Sequence, residues 1–248
     1  MLMINTYNMF CLPPAGSSCA IYASWKRLAV DTLSKAHITV IPVEYSGHGS
    51  KSDQPLIDNP QILASDIAKT IMMYRDVPYI LFGHSVGGAL LWTVIECLRA
   101  AGAAEQLTLI VVSSRPEHQH LQHIRGRHKL TDEALIHRLQ GYNNFPNEIL
   151  QNKAALRYFL RIIRNDFSLS DQLIDSQITK TTVPLVTFCG ADDPDIPTQV
   201  MMEDWQQHTE KFLGCHTLEG DHFYFLNQRS LRQLFRTIEA CLMHETYV

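Results

Sequence analysis

One stretch of the chain decides the fold: Tyr79-Ile80-Leu81-Phe82-Gly83-His84-Ser85-Val86-Gly87-Gly88. It begins with the apolar run Tyr79–Phe82, which indicates a buried strand, and it continues into Val86–Ala100, which reads as a helix stopped by Gly102. Ser85 stands at the junction, inside the pattern Gly-x-Ser-x-Gly. A sharp strand-to-helix turn can raise a serine above a sheet when small residues on both sides permit the crowding. The stretch therefore predicts a strand–helix unit with Ser85 as a nucleophile.

Short apolar runs alternate with longer amphipathic stretches on both sides of this junction. The other predicted strands are Met9–Leu12, Ile38–Val43, Leu107–Val112, Leu185–Cys189 and His216–Leu218. The other predicted helices of the alternating part are Ile21–Lys35, Ala64–Tyr74 and Leu231–Met243. Such alternation is typical of an α/β protein, with a mostly parallel central sheet and helices on both faces.

The alternation is interrupted between residues 115 and 182, where no convincing strand pattern occurs. One helix is predicted after Thr131, an N-cap that is followed by two carboxylates in the first turn, where negative charge suits the helix dipole. A second helix is predicted at Lys153–Ile163, with its apolar residues on one side. We expect residues 115–182 to be a helical insertion within one domain that spans residues 1–248.

The composition restricts the class of protein. The chain has 248 residues, of which 46% are hydrophobic, and a formal net charge of −4, so we expect a globular protein that binds neither nucleic acid nor a membrane surface. Residues 1–10 show no signal-peptide pattern, and no apolar run reaches the ~18 residues of a spanning helix. The six cysteines are scattered and are expected to be free thiols. These features predict a cytoplasmic location, and a monomer is the default expectation.

A serine hydroxyl needs a base and an acid to become a nucleophile. In the α/β-hydrolase fold these groups follow the serine in the order acid and then histidine. His222 comes after the last predicted strand and before the terminal helix, which is where the base is expected. No metal site is predicted, because the spacing of one histidine cluster fits no helical or strand pair well. That cluster consists of His118, His120, His123 and His128.

Three carboxylates follow the strand Leu185–Cys189, and one of them is expected to orient His222. Asp193 is the preferred candidate because the residue before a proline is held extended, which fixes its side chain. Asp192 and Asp195 remain alternatives.

The negative oxygen that forms during acyl transfer needs preorganised N–H donors. One predicted donor is the backbone N–H of Val86, the residue after the nucleophile. The other is expected from the loop after the first strand, Pro13–Ser18, where prolines cannot donate and small residues let the backbone approach a substrate. Ala15 is the preferred donor in this loop.

Taken together, these residues resemble the type II thioesterases that accompany nonribosomal peptide and polyketide synthases. The resemblance covers nearly the whole chain and lies in the order and spacing of several short motifs. These motifs are Cys11-Leu12-Pro13-Pro14-Ala15-Gly16, Gly47-His48-Gly49, the pentapeptide around Ser85 with Gly88, Arg164-Asn165-Asp166-Phe167, Gly190-Ala191-Asp192-Asp193-Pro194, Trp205 with His208, and Gly220-Asp221-His222-Phe223-Tyr224-Phe225-Leu226.

The resemblance implies an α/β-hydrolase fold in which the insertion is a lid over an acyl channel. It also implies a Ser85–Asp193–His222 triad, oxyanion donors at Ala15 and Val86, and no cofactor. Such enzymes hydrolyse misprimed or stalled acyl groups from the phosphopantetheine arm of carrier proteins. Among apolar residues of the insertion, candidates for the channel are Leu156, Phe159, Leu160 and Phe167, although such helix faces are more often plain core.

The chain departs from the family pattern at four places, none of them in the triad. Ser17 stands where a second glycine is usual, and His48 stands where arginine is common. Asn143-Asn144 replaces a Gly-Gly pair, and Arg164-Asn165-Asp166 replaces Arg-Ala-Asp. Two other classes of function compete with a thioesterase: a carboxylesterase or lipase that acts on free small esters, and a non-catalytic scaffold that binds a synthase.

Overall fold

The computed structural model describes residues 5–142 and 147–245. Its centre is one sheet of six strands in the order β2-β1-β3-β4-β5-β6, with every neighbouring pair parallel. The strands are β1 Asn5–Leu12, β2 Ala36–Pro42, β3 Tyr79–His84, β4 Leu107–Ser113, β5 Leu185–Gly190 and β6 Phe212–Leu218. The predicted parallel sheet is thus confirmed.

The strand order places several loops at one edge of the sheet. The chain moves from β1 to β2 in one direction and then returns to add β3 on the other side of β1. Where a parallel sheet reverses in this way, a crevice opens outside the carboxyl ends of the two adjacent strands. In the register Leu12 lies opposite Gly83, so the loop after β1 and the turn after β3 are neighbours.

Helices cover both faces of the sheet. They are α1 Trp25–Thr32, α2 Pro60–Met72, α3 Val86–Ala100, α4 Asp132–Gln140, α5 Asn147–Gln151, α6 Lys153–Gln172, α7 Val200–Glu203 and α8 Gln228–Glu245. Apolar residues of α2 and α3 fill one core, and those of α1 and α8 fill a second core with the other side of the strands. Within the part of the chain that the structure describes, no helix is long and apolar enough to cross a membrane.

The predicted helix Ile21–Lys35 is wrong in its extent. A 3-10 helix at Cys19–Tyr22 precedes the shorter helix α1, and Leu33 is already extended. The buried carboxylate of Glu239 on α8 explains the early end, because its Oε1 accepts the N–H groups of Ser34, Lys35 and Ala36 at 2.9, 2.6 and 3.0 Å. A continued helix would take these N–H groups away from the carboxylate.

The segment between β4 and β5 contains α4, α5, α6 and short 3-10 turns. Thr131 caps α4 as predicted, since its hydroxyl accepts the N–H of Ala134 at 3.3 Å. Helix α6 continues nine residues beyond the predicted end at Ile163, because the stretch to Gln172 holds no glycine or proline and buries Phe167 and Leu169. This segment lies over the carboxyl edge of the sheet, where its side chains contribute to the cavity described below.

Candidate active site

Ser85 forms a strained turn between β3 and α3. Its φ of 55° and ψ of −113° are outside the regions that residues with a side chain normally occupy. The turn is held by a hydrogen bond from the N–H of Ser85 to the carbonyl of Ser113, at 2.8 Å. Because such strain persists only where the surroundings enforce it, this backbone is typical of a nucleophile elbow.

Two glycines permit this turn. A Cβ on Gly83 would lie 2.5 Å from the carbonyl oxygen of Gly87, and a Cβ on Gly87 would collide with the carbonyl oxygen of Leu12. The elbow and the end of β1 therefore approach more closely than any residue with a side chain would allow, as the sequence pattern predicts.

His222 follows β6, and Asp193 follows β5. The imidazole Nδ1 of His222 lies 2.9 Å from Oδ2 and 3.1 Å from Oδ1 of Asp193. Both side chains are buried. Burial by itself lowers the pKa of His222, but the charge and hydrogen bond of Asp193 outweigh it, so the pKa is raised above its ordinary value. With Nδ1–H donated to the carboxylate, Nε2 is left to accept a proton.

The two alternative carboxylates have other positions. Asp192 is exposed. Asp195 is buried and accepts hydrogen bonds from Arg127 at 2.6 and 2.8 Å, from the hydroxyl of Tyr142 at 2.7 Å, and from Arg138. Burial by itself raises the pKa of Asp195, but the hydrogen bond and charge of Arg127, with contributions from His222 and the Tyr142 hydroxyl, outweigh it and lower the pKa. Asp195 thus links the loop after β5 to the helical segment, while Asp193 alone of the three carboxylates is hydrogen-bonded to His222.

Besides the adjacent Phe223, the rings of Tyr142 and His84 pack against His222, and no sequence pattern indicates either contact. The ring of Tyr142 lies 4.8 Å from the ring of His222. The ring of His84 lies 5.0 Å from it, is fully buried, and contacts the hydroxyl of Ser113 through Nδ1 at 2.8 Å. Burial lowers the pKa of His84 well below its usual range, so this ring is a neutral support beside the imidazole of His222.

The loop after β1 is held through its carbonyl oxygens. Tyr22 donates its hydroxyl to the carbonyl of Leu12 at 2.9 Å, and Tyr45 donates to the carbonyl of Pro13 at 3.3 Å. Within residues 5–142 and 147–245, no hydrogen bond uses the backbone N–H of Ala15 or of Val86. Both predicted oxyanion donors are therefore available to a ligand.

A cavity of about 240 Å³ lies where these elements meet. Ser85 and His222 line it together with Ala15 and the loop around it. Its apolar wall comes mainly from the helical segment and consists of Leu139, Tyr142, Ile149, Phe159, Ile163, Phe167 and Phe223. The cavity thus joins an apolar chamber to the serine and the histidine, which suits an acyl chain whose carbonyl reaches Ser85.

Two of the four apolar residues that were candidates for the channel do not line this cavity. Phe159 and Phe167 are in its wall, whereas Leu156 and Leu160 are not. All four residues pack in one apolar cluster with Leu135 of α4, so Leu156 and Leu160 belong to this cluster without reaching the cavity. The sequence could not separate the two pairs, because both belong to the broad apolar side of one helix.

The histidine cluster does not gather at one point. His120 lies 2.7 Å from Asp204, and His128 lies 2.7 Å from Asp171. His118 does approach Glu117 and His208 closely enough for one ion to reach all three. The hydrogen bond between His208 and Glu117, at 2.9 Å, accounts for that proximity. Asn143-Asn144, where the family often has Gly-Gly, lies outside the described residues.

The order of these groups along the chain, serine, then carboxylate, then histidine, is that of the α/β-hydrolase class. The family model of the Thioesterase domain matches residues 8–242. The chain therefore belongs to the thioesterase family and is a hydrolase of thioesters.

Relatives with known structures share the whole fold. ClbQ from the colibactin NRPS/PKS pathway is 26% identical, with a TM-score of 0.81, and the match covers 96% of this chain and 99% of that one. BorB, a type II thioesterase from the borrelidin biosynthetic cluster, is 26% identical, with a TM-score of 0.78 and coverage of 96% and 93%. Among curated sequences, the linear gramicidin dehydrogenase LgrE of Brevibacillus parabrevis is 26% identical, covering 94% of this chain and 87% of its own length.

Proposed function

We propose that this thioesterase removes misprimed or stalled acyl and aminoacyl groups from the phosphopantetheine arms of carrier proteins in nonribosomal peptide or polyketide biosynthesis. One observation carries the chemistry: Ser85 and His222 line the same apolar cavity, and His222 is paired with Asp193 at 2.9 Å. The carrier-bound substrate is supported by the settings of the relatives ClbQ and BorB.

The first half of the proposed reaction forms an acyl-enzyme. Nε2 of His222 accepts the proton of the Ser85 hydroxyl while Oγ attacks the thioester carbonyl, and Asp193 stabilises the resulting imidazolium. The N–H groups of Ala15 and Val86 stabilise the oxyanion. The C–S bond then breaks, and the pantetheine thiol leaves with the proton from His222. Because a thiolate is a good leaving group, this protonation matters less than it does for an amide.

The second half releases the acid. A water molecule gives a proton to Nε2 of His222, and its oxygen attacks the acyl-enzyme carbonyl. The bond to Oγ breaks, Ser85 recovers a proton from the imidazolium, and the carboxylic acid leaves. No cofactor of the enzyme's own enters either half.

The substrate class is tested with carrier domains loaded with acetyl, longer acyl and aminoacyl groups. We expect the protein to unload them, with loss of the acyl mass seen by intact-protein mass spectrometry. The same acyl groups are offered in parallel as p-nitrophenyl esters. Fast turnover of the free esters without unloading of any carrier would contradict the proposal and would favour a carboxylesterase. Absence of turnover on every substrate would favour a non-catalytic scaffold.

The pH dependence of the reaction follows from His222. As the base, this imidazole must be neutral, and Asp193 raises its pKa. We therefore expect kcat/KM to rise with increasing pH and to reach half its maximum above about pH 6.5, the ordinary value for histidine. The measurement uses an acyl thioester without ionising groups between pH 5 and 9. A half-maximum well below pH 6.5 would contradict the assignment of His222 as the base.

A further inference from the structure

A buried carboxylate joins helix α6 to the loop after β1. Asp166 is 1% exposed, and its Oδ2 accepts two hydrogen bonds, from the backbone N–H of Gly16 at 2.7 Å and from Nε2 of His48 at 3.0 Å. We propose that Asp166 and His48 are positioning residues that couple the docking of helix α6 to the geometry of the oxyanion hole. This inference rests on the proposed function, in which the N–H of Ala15 stabilises the oxyanion.

The loop after β1 turns at Gly16, where glycine adopts the left-handed backbone conformation without strain. Gly16 has a φ of 72°, and it directly follows Ala15. Among the described contacts of Pro13–Gly16, the N–H of Gly16 is the one backbone donor that is hydrogen-bonded to a side chain distant in sequence. A change in the position of Asp166 therefore acts on the peptide next to Ala15.

The contacts of His48 favour its protonated form, which pairs a positive charge with the carboxylate of Asp166. Its Nδ1 lies 3.1 Å from the carbonyl oxygen of Ser46, and its Nε2 lies 3.0 Å from Asp166, so only an imidazolium donates to both. Burial lowers the pKa of His48, but the hydrogen bond and charge of Asp166 outweigh it and raise the pKa, with a smaller contribution from Glu44. The ring of Tyr45 packs edge-on at 5.6 Å.

Helix α6 also forms part of the wall of the apolar cavity, through Phe159, Ile163 and Phe167. A Cβ on Gly16 would lie 3.1 Å from the ring of Phe159 and 3.3 Å from Ile163, so the loop packs directly against the residues that an acyl chain would touch. An acyl group that displaces α6 would therefore also pull on Gly16 through Asp166. The position of the Ala15 donor thus depends on the docking of the helix, which couples acyl size to the rate of the chemical step.

The same helix supplies a matched control. Oδ2 of Asp171 also accepts one glycine N–H, from Gly126 at 2.8 Å, and lies 2.7 Å from one imidazole nitrogen, that of His128. These partners belong to the segment between β4 and β5 and not to the loop after β1. Asp171→Asn therefore weakens a comparable contact of α6 within the inserted segment, without affecting the contact of α6 with the oxyanion loop.

The experiment compares Asp166→Asn with Asp171→Asn on acetyl- and octanoyl-loaded carrier domains. Loss of one oxyanion donor typically costs about 10²–10³ in kcat, so a displaced donor in Asp166→Asn is expected to lower kcat about 10- to 100-fold with little change in KM. Asp171→Asn is expected to stay within about threefold of the wild type. Equal kcat values for the two variants, at similar melting temperatures, would overturn the inference.

Variants of His48 test the same point if Asp166→Asn does not fold. His48→Arg keeps a buried cation, as is common in the family, and is expected to retain kcat within about threefold, whereas His48→Gln is expected to lose about tenfold or more. Equal rates for the two His48 variants would overturn the inference. Ser85→Ala distinguishes failure of this inference from failure of the proposed function. If Ser85→Ala is as active as the wild type, the proposed function itself is wrong.

Discussion

Replacing Ser85 with alanine is expected to lower kcat for thioester hydrolysis by about 10⁵-fold or more, because no acyl-enzyme can form and the remaining groups of the triad act only together with the nucleophile. Single-turnover unloading of an acyl carrier domain measures the loss. Mass spectrometry of the quenched enzyme should show an acyl adduct on the wild type and none on the variant.

Ser114→Ala is the matched control for this substitution. Ser114 is also a buried serine with a positive φ, of 46°, at the end of the adjacent strand. The Ser114→Ala substitution removes a buried serine hydroxyl from a backbone with a similarly positive φ. We expect the kcat of this variant to stay within about tenfold of the wild type. If Ser85→Ala retained more than about one hundredth of the wild-type rate, the assignment of the nucleophile would be wrong.

Replacing Asp193 with asparagine is expected to lower kcat by about 10⁴-fold. An amide in place of the carboxylate can hold His222 in the wrong tautomer, and it no longer stabilises the imidazolium. The measurement is kcat on a loaded carrier domain, with the melting temperature recorded for each variant to separate a catalytic loss from unfolding.

The neighbouring carboxylates make this prediction specific. Asp192→Asn should change kcat by no more than about threefold, since its side chain is exposed. Asp195→Asn removes the charge that holds Arg127, Arg138 and Tyr142, so it should cost stability and about tenfold in kcat. A larger loss in kcat for Asp195→Asn than for Asp193→Asn would transfer the role of the acid to Asp195.

The fold was predictable because its signals are local. Five of the six strands contain an apolar run that the sequence shows directly, and the Gly-x-Ser-x-Gly turn fixes how β3 meets α3. The exception is β6, which includes a glycine, a histidine and a threonine and of which only His216–Leu218 was predicted. One error arose where a distant residue decides the boundary. Helix α1 ends at Thr32 because Glu239, some two hundred residues later, accepts the next backbone N–H groups. No pattern around residue 32 carries that information.

The active site likewise contains residues that the sequence predicts and residues that only distant contacts identify. Ser85, Asp193 and His222 were predicted from chain order and from their places after strands, and the pairing of the last two is seen in the structure. The supports of the site come from pairs far apart in sequence, such as Asp166 with Gly16 and Tyr142 with His222. Asp166 and Tyr142 by themselves resemble ordinary lid or core residues, so only the three-dimensional packing reveals their contribution to the site.

The position of α6 has a consequence for engineering the acyl preference of this enzyme. The segment between β4 and β5 supplies most of the apolar chamber wall, while the reacting groups come from loops at strand ends, which makes the segment an inviting unit for exchange between relatives. Asp166 lies within that segment, whereas His48 lies outside it. In a chimera, the two residues of this ion pair would therefore come from different proteins. Grafts that preserve a carboxylate facing residue 48 should remain fast, and grafts that lack it should acquire a new substrate range at a reduced turnover.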